Sequence, residues 1–141
     1  MSKIWIFDLD DTLHDASSKI FPRINQSMTA YVSEKLNISQ DAAHDLRDQY
    51  WKVYGATLKG LIENHGVEPK EFLMKTHDAE ELSGFVKQSH NLKNTLKKLK
   101  GKKIVFTNAP LHYAVAIIKS LKIQKYFSAV YSIESTNYNP K

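Results

Sequence analysis

Residues 3–12, KIWIFDLDDT, place Asp8, Asp10 and Asp11 at the exit of an uninterrupted apolar run. Ile4-Trp5-Ile6-Phe7 is bulky and β-branched or aromatic, and it is too short to be a helix of its own. It reads as a strand buried on both faces. The acidic residues then crowd the carboxyl end of a buried strand, where like charges repel unless something offsets them. Two readings follow: a polar turn that happens to be acidic, or a site built to hold a divalent cation and to attack a substrate with a carboxylate.

Two later stretches repeat the strand pattern, KIVFT at 103–107 and, more weakly, SAVYSI at 128–133. Between them Leu111, Ala114, Val115, Ile118 and Leu121 recur at helical spacing. A strand, a helix and a strand within about thirty residues form a βαβ unit, with a parallel pairing and a right-handed crossover. The expected class is therefore α/β, a parallel Rossmann-like sheet of strands 3–8, 103–107 and 128–133 in spatial order 3-2-1 with helices on both faces. Ligands of such sheets bind beyond the carboxyl ends of the strands. Asp8 and Asp10 after the first strand, Thr107 and Asn108 after the second, and Lys141 after the third are expected to meet there.

Residues 15–90 follow the helical period instead. One helix is expected from about Ser18–Arg23 to Leu36. A second starts after Ser39, an N-cap residue with Asp41 in the first turn, and breaks at Gly55. TLKGLIENHG ends at Gly66, Pro69 opens PKEFLMKTH, and HNLKNTLKKLKG closes at Gly101. The expected organisation is an α/β core from 1–14 and 91–141, interrupted by a helical unit at 15–90. Tyr50, Trp51 and Tyr54 read first as interior residues of that unit, although a flat ligand would need an aromatic wall there.

Composition narrows the alternatives. The chain has 141 residues, 42% hydrophobic and 25% charged, with a net charge of +5. With no cysteine, disulfides and thiolate metal sites are excluded. The amino terminus runs straight into a strand pattern and no apolar stretch matches a membrane span, so a cytoplasmic location without membrane partners is expected. Lys87, Lys93, Lys97, Lys98, Lys100, Lys102 and Lys103 make a basic stretch. Leu92, Leu96 and Leu99 supply an opposing stripe and no aromatic interleaves the lysines, so a solvated helix face is preferred over a nucleic-acid platform. Asp11 reads as an exposed loop charge and His14 as a hydrogen-bonding loop residue. His44, His65, His77, His90 and His112 lack metal-ligand spacing.

Asp8-Leu9-Asp10-Asp11-Thr12 after an apolar strand resembles the first motif of the haloacid dehalogenase superfamily of phosphohydrolases. VFTN, 105–108, resembles its second motif and the lysine of NPK, 139–141, its third. The helical insertion resembles that superfamily's type-1 cap. YWKVYGATLKGL (50–61), FDLDDTLHDAS and STNYNPK resemble the pyrimidine 5′-nucleotidase branch. The resemblance implies a Mg²⁺-dependent phosphomonoesterase acting through an aspartyl-phosphate, with pyrimidine nucleoside 5′-monophosphates as substrates. It implies Asp8 as nucleophile, Asp10 as general acid and base, Thr107 and Asn108 as phosphate ligands, and Lys141 as the charge-balancing cation. The metal would be held by the Asp8 carboxylate and the Asp10 carbonyl.

In the family, the pattern continues past the third motif into a fourth strand whose acidic pair completes the metal site, and Glu134 is not placed to replace it. A chain that stops at Lys141 is expected to be truncated after the third motif, with an incomplete core. The first strand is then an edge strand and a route to self-association. The alternative to a phosphatase is an inactive remnant of the fold serving as an assembly or binding module.

Overall fold

The computed structural model describes residues 3–141. It is an α/β fold built on a three-stranded parallel sheet in the order β1-β2-β3, with β1 at Ile4–Phe7, β2 at Lys102–Phe106 and β3 at Ala129–Tyr131. Six helices lie between β1 and β2: α1 (Ile20–Leu36), α2 (Gln40–Tyr54), α3 (Thr57–His65), α4 (Pro69–Thr76), α5 (Ala79–Ser83) and α6 (His90–Lys98). A seventh, α7 (Leu111–Ser120), joins β2 to β3.

Local chemistry explains most of these boundaries. The Ser39 side chain accepts from the Ala42 N–H to start α2, and Gly55 ends it in the left-handed conformation at φ 82°. Pro69 occupies the first turn of α4, where its missing N–H costs nothing. The last sequence segment departs from expectation. α6 stops at Leu99 rather than at Gly101, and Gly101 serves the turn into β2. Its φ is 114°, and a Cβ there would lie 2.5 Å from the Lys3 carbonyl oxygen. The expected third strand is shorter than 128–133, because residues 133–136 turn into a 3₁₀ segment fixed by a reciprocal Ser132–Ser135 capping box.

The sheet has one packed face. Register pairs Trp5 with Lys103 and Phe7 with Val105, and Val105 with Val130. These side chains share the face on which Val105 is fully buried, against Leu9, Leu96, Tyr113 and Ile117. Ile4, Ile6, Ile104, Phe106 and Tyr131 share the other face. There Ile4 is 62% exposed, Ile6 66% and Tyr131 46%. The expectations that β1 is buried on both faces and that helices cover both sides of the sheet are therefore corrected. A continuous apolar run records what a strand can bury, not what covers it.

A second hydrophobic cluster lies among the inserted helices. Tyr31 and Phe72 meet edge to face at 5.2 Å, surrounded by Val32, Tyr50, Leu61 and Leu73. Ile133, from after β3, joins this cluster, whereas Ile20, Ile24 and Leu82 of the inserted segment pack into the first. The two cores thus interlock along the chain. On α7 the buried stripe is Tyr113, Ala114, Ile117 and Ile118, while Leu111 and Val115 of the expected set face outward. No described helix is long and apolar enough to cross a membrane.

Candidate active site

The segment after β1 folds back on itself. The Leu9 carbonyl accepts from the N–H groups of Thr12 and Leu13, and both leucines are buried. Asp11 adopts a left-handed φ of 60°, and its carboxylate accepts from the backbone N–H groups of Ala16 and Ser17, each at 2.9 Å, and from the Ser17 hydroxyl. These hydrogen bonds hold the Asp11 carboxyl below the usual carboxylate range. Asp11 is the exposed loop charge expected from sequence, and it also acts as a buckle that closes the loop.

This turn leaves Asp8 and Asp10 at the carboxyl end of β1. Asp8 Oδ1 accepts from its neighbour's N–H (Leu9, 2.9 Å) and from Lys141 Nζ at 2.8 Å. Lys141 Nζ also donates to the Phe106 carbonyl at 2.7 Å, and its backbone N–H donates to Asn108 Oδ1 at 2.9 Å. One lysine thus ties the ends of β1 and β2 together. Thr107 is buried, and its Oγ1 accepts from the Ala109 N–H at 3.1 Å, which leaves the hydroxyl proton free to donate. All five residues singled out in the sequence, Asp8, Asp10, Thr107, Asn108 and Lys141, line one cavity of about 1000 Å³. That is the upper end of the range for small-molecule sites, roughly 300–1,000 Å³.

Of three partners of this group, Tyr113 and His77 escaped the sequence reading, while His14 is the hydrogen-bonding loop residue expected there. Asp10 Oδ1 accepts from the Tyr113 hydroxyl at 2.7 Å and lies 2.7 Å from His14 Nε2. Burial, reinforced by the Asp10 charge, pushes the Tyr113 phenol up, so it stays protonated and donating. Oδ2 of Asp10 has no hydrogen-bond partner among the described residues, and with Oδ1 held twice it is the oxygen left for chemistry. Nothing in the sequence singled out Tyr113; only the 103-residue contact across the fold gives it meaning.

His77 is the third. It is buried, stacks edge to face on Tyr113 at 5.6 Å, and lies 2.9 Å through Nδ1 from the Thr76 hydroxyl. Burial, with the neighbouring His112, lowers its pKa to about 3. In the unfolded chain it titrates near 6.5. Its contribution to stability is therefore complete above about pH 6.5 and is lost as the pH falls toward 3. Thermal unfolding across that window should show the midpoint of the parent falling more steeply than that of His77→Asn. Parallel curves would assign the acid sensitivity elsewhere.

Above these residues the cavity is walled by the inserted helices. α2 turns His44, Arg47, Asp48 and Trp51 into the cavity, while Ala43 and Tyr50, on its other side, enter the second core. Trp51 is 62% exposed, so among the three aromatics at this helix it is the wall and Tyr50 the core residue. Glu134 accepts from the Leu111 N–H through both carboxylate oxygens, at 3.2 and 3.0 Å, capping α7, and does not line the cavity.

Asp8 and Asp10 offer hard oxygen donors, the type Mg²⁺ prefers. No group of three or more acidic, histidine or cysteine side chains assembles around them among the described residues. The donor chemistry of these two residues fits a hard cation such as magnesium.

Comparison with known proteins identifies a family and several relatives. The haloacid dehalogenase-like hydrolase family matches residues 5–141. Phosphate metabolism protein 8 of Saccharomyces cerevisiae is 29% identical over 136 residues, covering 91% of this chain and 42% of the yeast protein. A HAD phosphatase from Thermococcus onnurineus superposes with a TM-score of 0.60 at 21% identity, over 97% of this chain and 64% of that one. A HAD-hydrolase from Bacillus subtilis, solved with magnesium bound, gives 0.52 at 14% identity, over 96% and 67%. The chain thus spans under half the length of the yeast relative.

Proposed function

We propose that this chain, which belongs to the haloacid dehalogenase-like hydrolase family, is the catalytic part of a phosphomonoesterase acting on pyrimidine nucleoside 5′-monophosphates in the cytoplasm. The observation that carries the reading is the meeting of Asp8, Asp10, Thr107, Asn108 and Lys141 in one cavity at the carboxyl ends of β1 and β2. Asp8 attacks phosphorus through Oδ2, the oxygen not engaged by Lys141, and the P–O bond to the sugar breaks as the aspartyl-phosphate forms. Asp10 gives a proton from Oδ2 to the departing sugar oxygen, then takes one from the water that hydrolyses the intermediate. Tyr113 and His14 fix its orientation during both transfers. Thr107 and Asn108 hold phosphoryl oxygens, and Lys141 offsets the charge gathered there. Magnesium, held by Asp8 and the Asp10 carbonyl, supplies further charge neutralisation when bound. The core is assigned to 1–14 and 91–141 and the cap to 15–90.

Phosphate release from a panel of nucleoside monophosphates, sugar phosphates and p-nitrophenyl phosphate tests the assignment. Preferential turnover of the pyrimidine nucleotides is expected, and absence of turnover of every phosphomonoester would overturn it.

The metal is expected to bind this chain weakly before substrate arrives. One side chain and one carbonyl leave most of an octahedral shell to water or phosphate. Calorimetry should show little heat at millimolar Mg²⁺ without nucleotide, and submillimolar affinity would reveal further protein ligands.

The open face favours a second property. β1 has a free edge, and Ile4 and Ile6 stand exposed beside it. Such an edge pairs readily with a second copy. We expect this chain to sediment as a self-associating species and Ile6→Lys to shift it toward monomer. A monomeric parent would refute the pairing.

A further inference from the structure

His77 follows α4 and lines the cavity, although only 6% of it is exposed. Its neighbour fixes its tautomer. The Thr76 hydroxyl is buried and donates its single proton to the Phe72 carbonyl at 2.7 Å. Toward the His77 ring, 2.9 Å away, the same oxygen can only accept, so the proton of the neutral imidazole sits on Nδ1. Nε2 is then a bare lone pair. Burial holds the ring in this neutral form, with its pKa lowered to about 3.

Nε2 has no hydrogen-bond partner among the described residues, yet it is not sealed in. The enclosed side-chain polar atoms without a partner are His14 Nδ1, the Tyr31 hydroxyl and Arg47 Nε. With Nδ1 engaged by Thr76, Nε2 is the polar atom that the ring turns to the cavity. An acceptor so placed is costly unless a ligand supplies a donor. A phosphate oxygen cannot, because it is itself an acceptor. A cation is not gathered here either, since no group of three metal-ligating side chains forms among the described residues. What remains is an O–H or N–H group of the ligand, and position selects between them. The His77 ring packs on Tyr113, whose hydroxyl bonds Asp10, the residue that meets the ester oxygen of the leaving group. In a nucleotide the hydroxyls of the ribose lie a few bonds from that oxygen, whereas the base stands farther out. We propose that His77 Nε2 accepts a hydrogen bond from a ribose hydroxyl of the substrate, and that this contact makes the site favour ribose esters over esters without hydroxyls. This deepens the nucleotide reading and rests on it.

Two variants isolate Nε2. His77→Asn keeps an amide N–H to meet Thr76 and removes the acceptor; His77→Gln returns an amide oxygen near the lost nitrogen. Turnover is compared for UMP, for its 2′-deoxy, 3′-deoxy and 2′,3′-dideoxy forms, and for p-nitrophenyl phosphate. The parent should use 2′,3′-dideoxy-UMP at least about tenfold less efficiently than UMP, in kcat/KM. The two singly deoxygenated nucleotides identify the hydroxyl. His77→Asn should lower UMP turnover to the dideoxy level and leave p-nitrophenyl phosphate within about twofold of the parent, and His77→Gln should recover part of the loss. Equal use of UMP and 2′,3′-dideoxy-UMP by the parent would overturn the proposal. So would a parental preference that persists in His77→Asn, or a loss in that variant that is the same for UMP and p-nitrophenyl phosphate. Calorimetry on Asp8→Asn protein, which holds nucleotide without consuming it, separates this contact from the hydrolase reading. A chain that binds UMP over the dideoxy form through His77 but releases no phosphate supports the contact and refutes the hydrolase. A chain that hydrolyses both equally overturns the contact alone, and one that neither binds nor hydrolyses them overturns both.

Discussion

Asp8→Asn is expected to lower phosphatase turnover at least about a thousandfold, equivalent to roughly 4 kcal/mol of barrier, while leaving the fold in place. The amide has no lone-pair charge to give to phosphorus and cannot form the acyl-phosphate. It keeps the shape of the carboxylate and the capacity to accept from Lys141 and Leu9, which meet Asp8 at 2.8 and 2.9 Å. The stability change is the resultant of two small opposing effects. Repulsion between Asp8 and Asp10 is relieved, and the ion pair with Lys141 is lost. That pair is part-exposed on both sides, 29% for Lys141 and 46% for Asp8, so its removal should cost no more than about 1 kcal/mol. Steady-state kinetics beside thermal unfolding separates the two quantities. Turnover retained within tenfold would remove Asp8 from the nucleophile role. A collapsed melting temperature would show that the pair holds the two strand ends together.

The reach of the sequence can be traced residue by residue. β1 and β2 were legible because β-branched and aromatic residues formed short blocks, and Ser39, Gly55, Gly66 and Pro69 marked helix ends by local chemistry that needs no partner. Asp8, Asp10, Thr107, Asn108 and Lys141 were found together because strand ends in a parallel sheet converge by topology. What escaped was whatever depends on a distant partner. Tyr113 bonds to Asp10 across the fold, whereas the hydrogen-bonding role of His14 was legible and only its partner, Asp10, depended on the loop that Asp11 closes. Arg47 and Trp51 needed the rotation of α2 about its axis, which decides that Tyr50 enters the core and Trp51 the cavity. The open face of the sheet escaped for a related reason. Ile4 and Ile6 are as apolar as Val105, and only the placement of the helices separates them.

The rotation of α2 itself rests on one small residue, and replacing it should have the largest effect on stability. Gly60 lies mid-way along α3, where α3 crosses α2. A Cβ at this position would stand 2.3 Å from Tyr50 Cγ and 2.6 Å from Tyr50 Cβ. Those atoms sit at the root of the side chain, so no rotamer of Tyr50 carries both out of the way, and the helices must separate or the ring must leave the core. Tyr50 is not free to leave. It is buried, its hydroxyl meets His65 Nε2 at 2.7 Å, and it packs edge to face on Tyr54 at 5.8 Å. Gly60→Ala brings a gain of about 1 kcal/mol from helix propensity. Overpacking costs roughly 1–3 kcal/mol, occasionally more, and a contact this far inside the van der Waals distance belongs at the upper end. The net loss should be about 2 kcal/mol or more, read as a drop in the denaturant midpoint. Because Trp51 and Arg47 ride on the same helix as Tyr50, the variant should also weaken nucleotide binding more than binding of p-nitrophenyl phosphate. Gly60→Ala with parental stability would mean that α2 and α3 part without cost, and the tight crossing would lose its role in aiming the cavity wall.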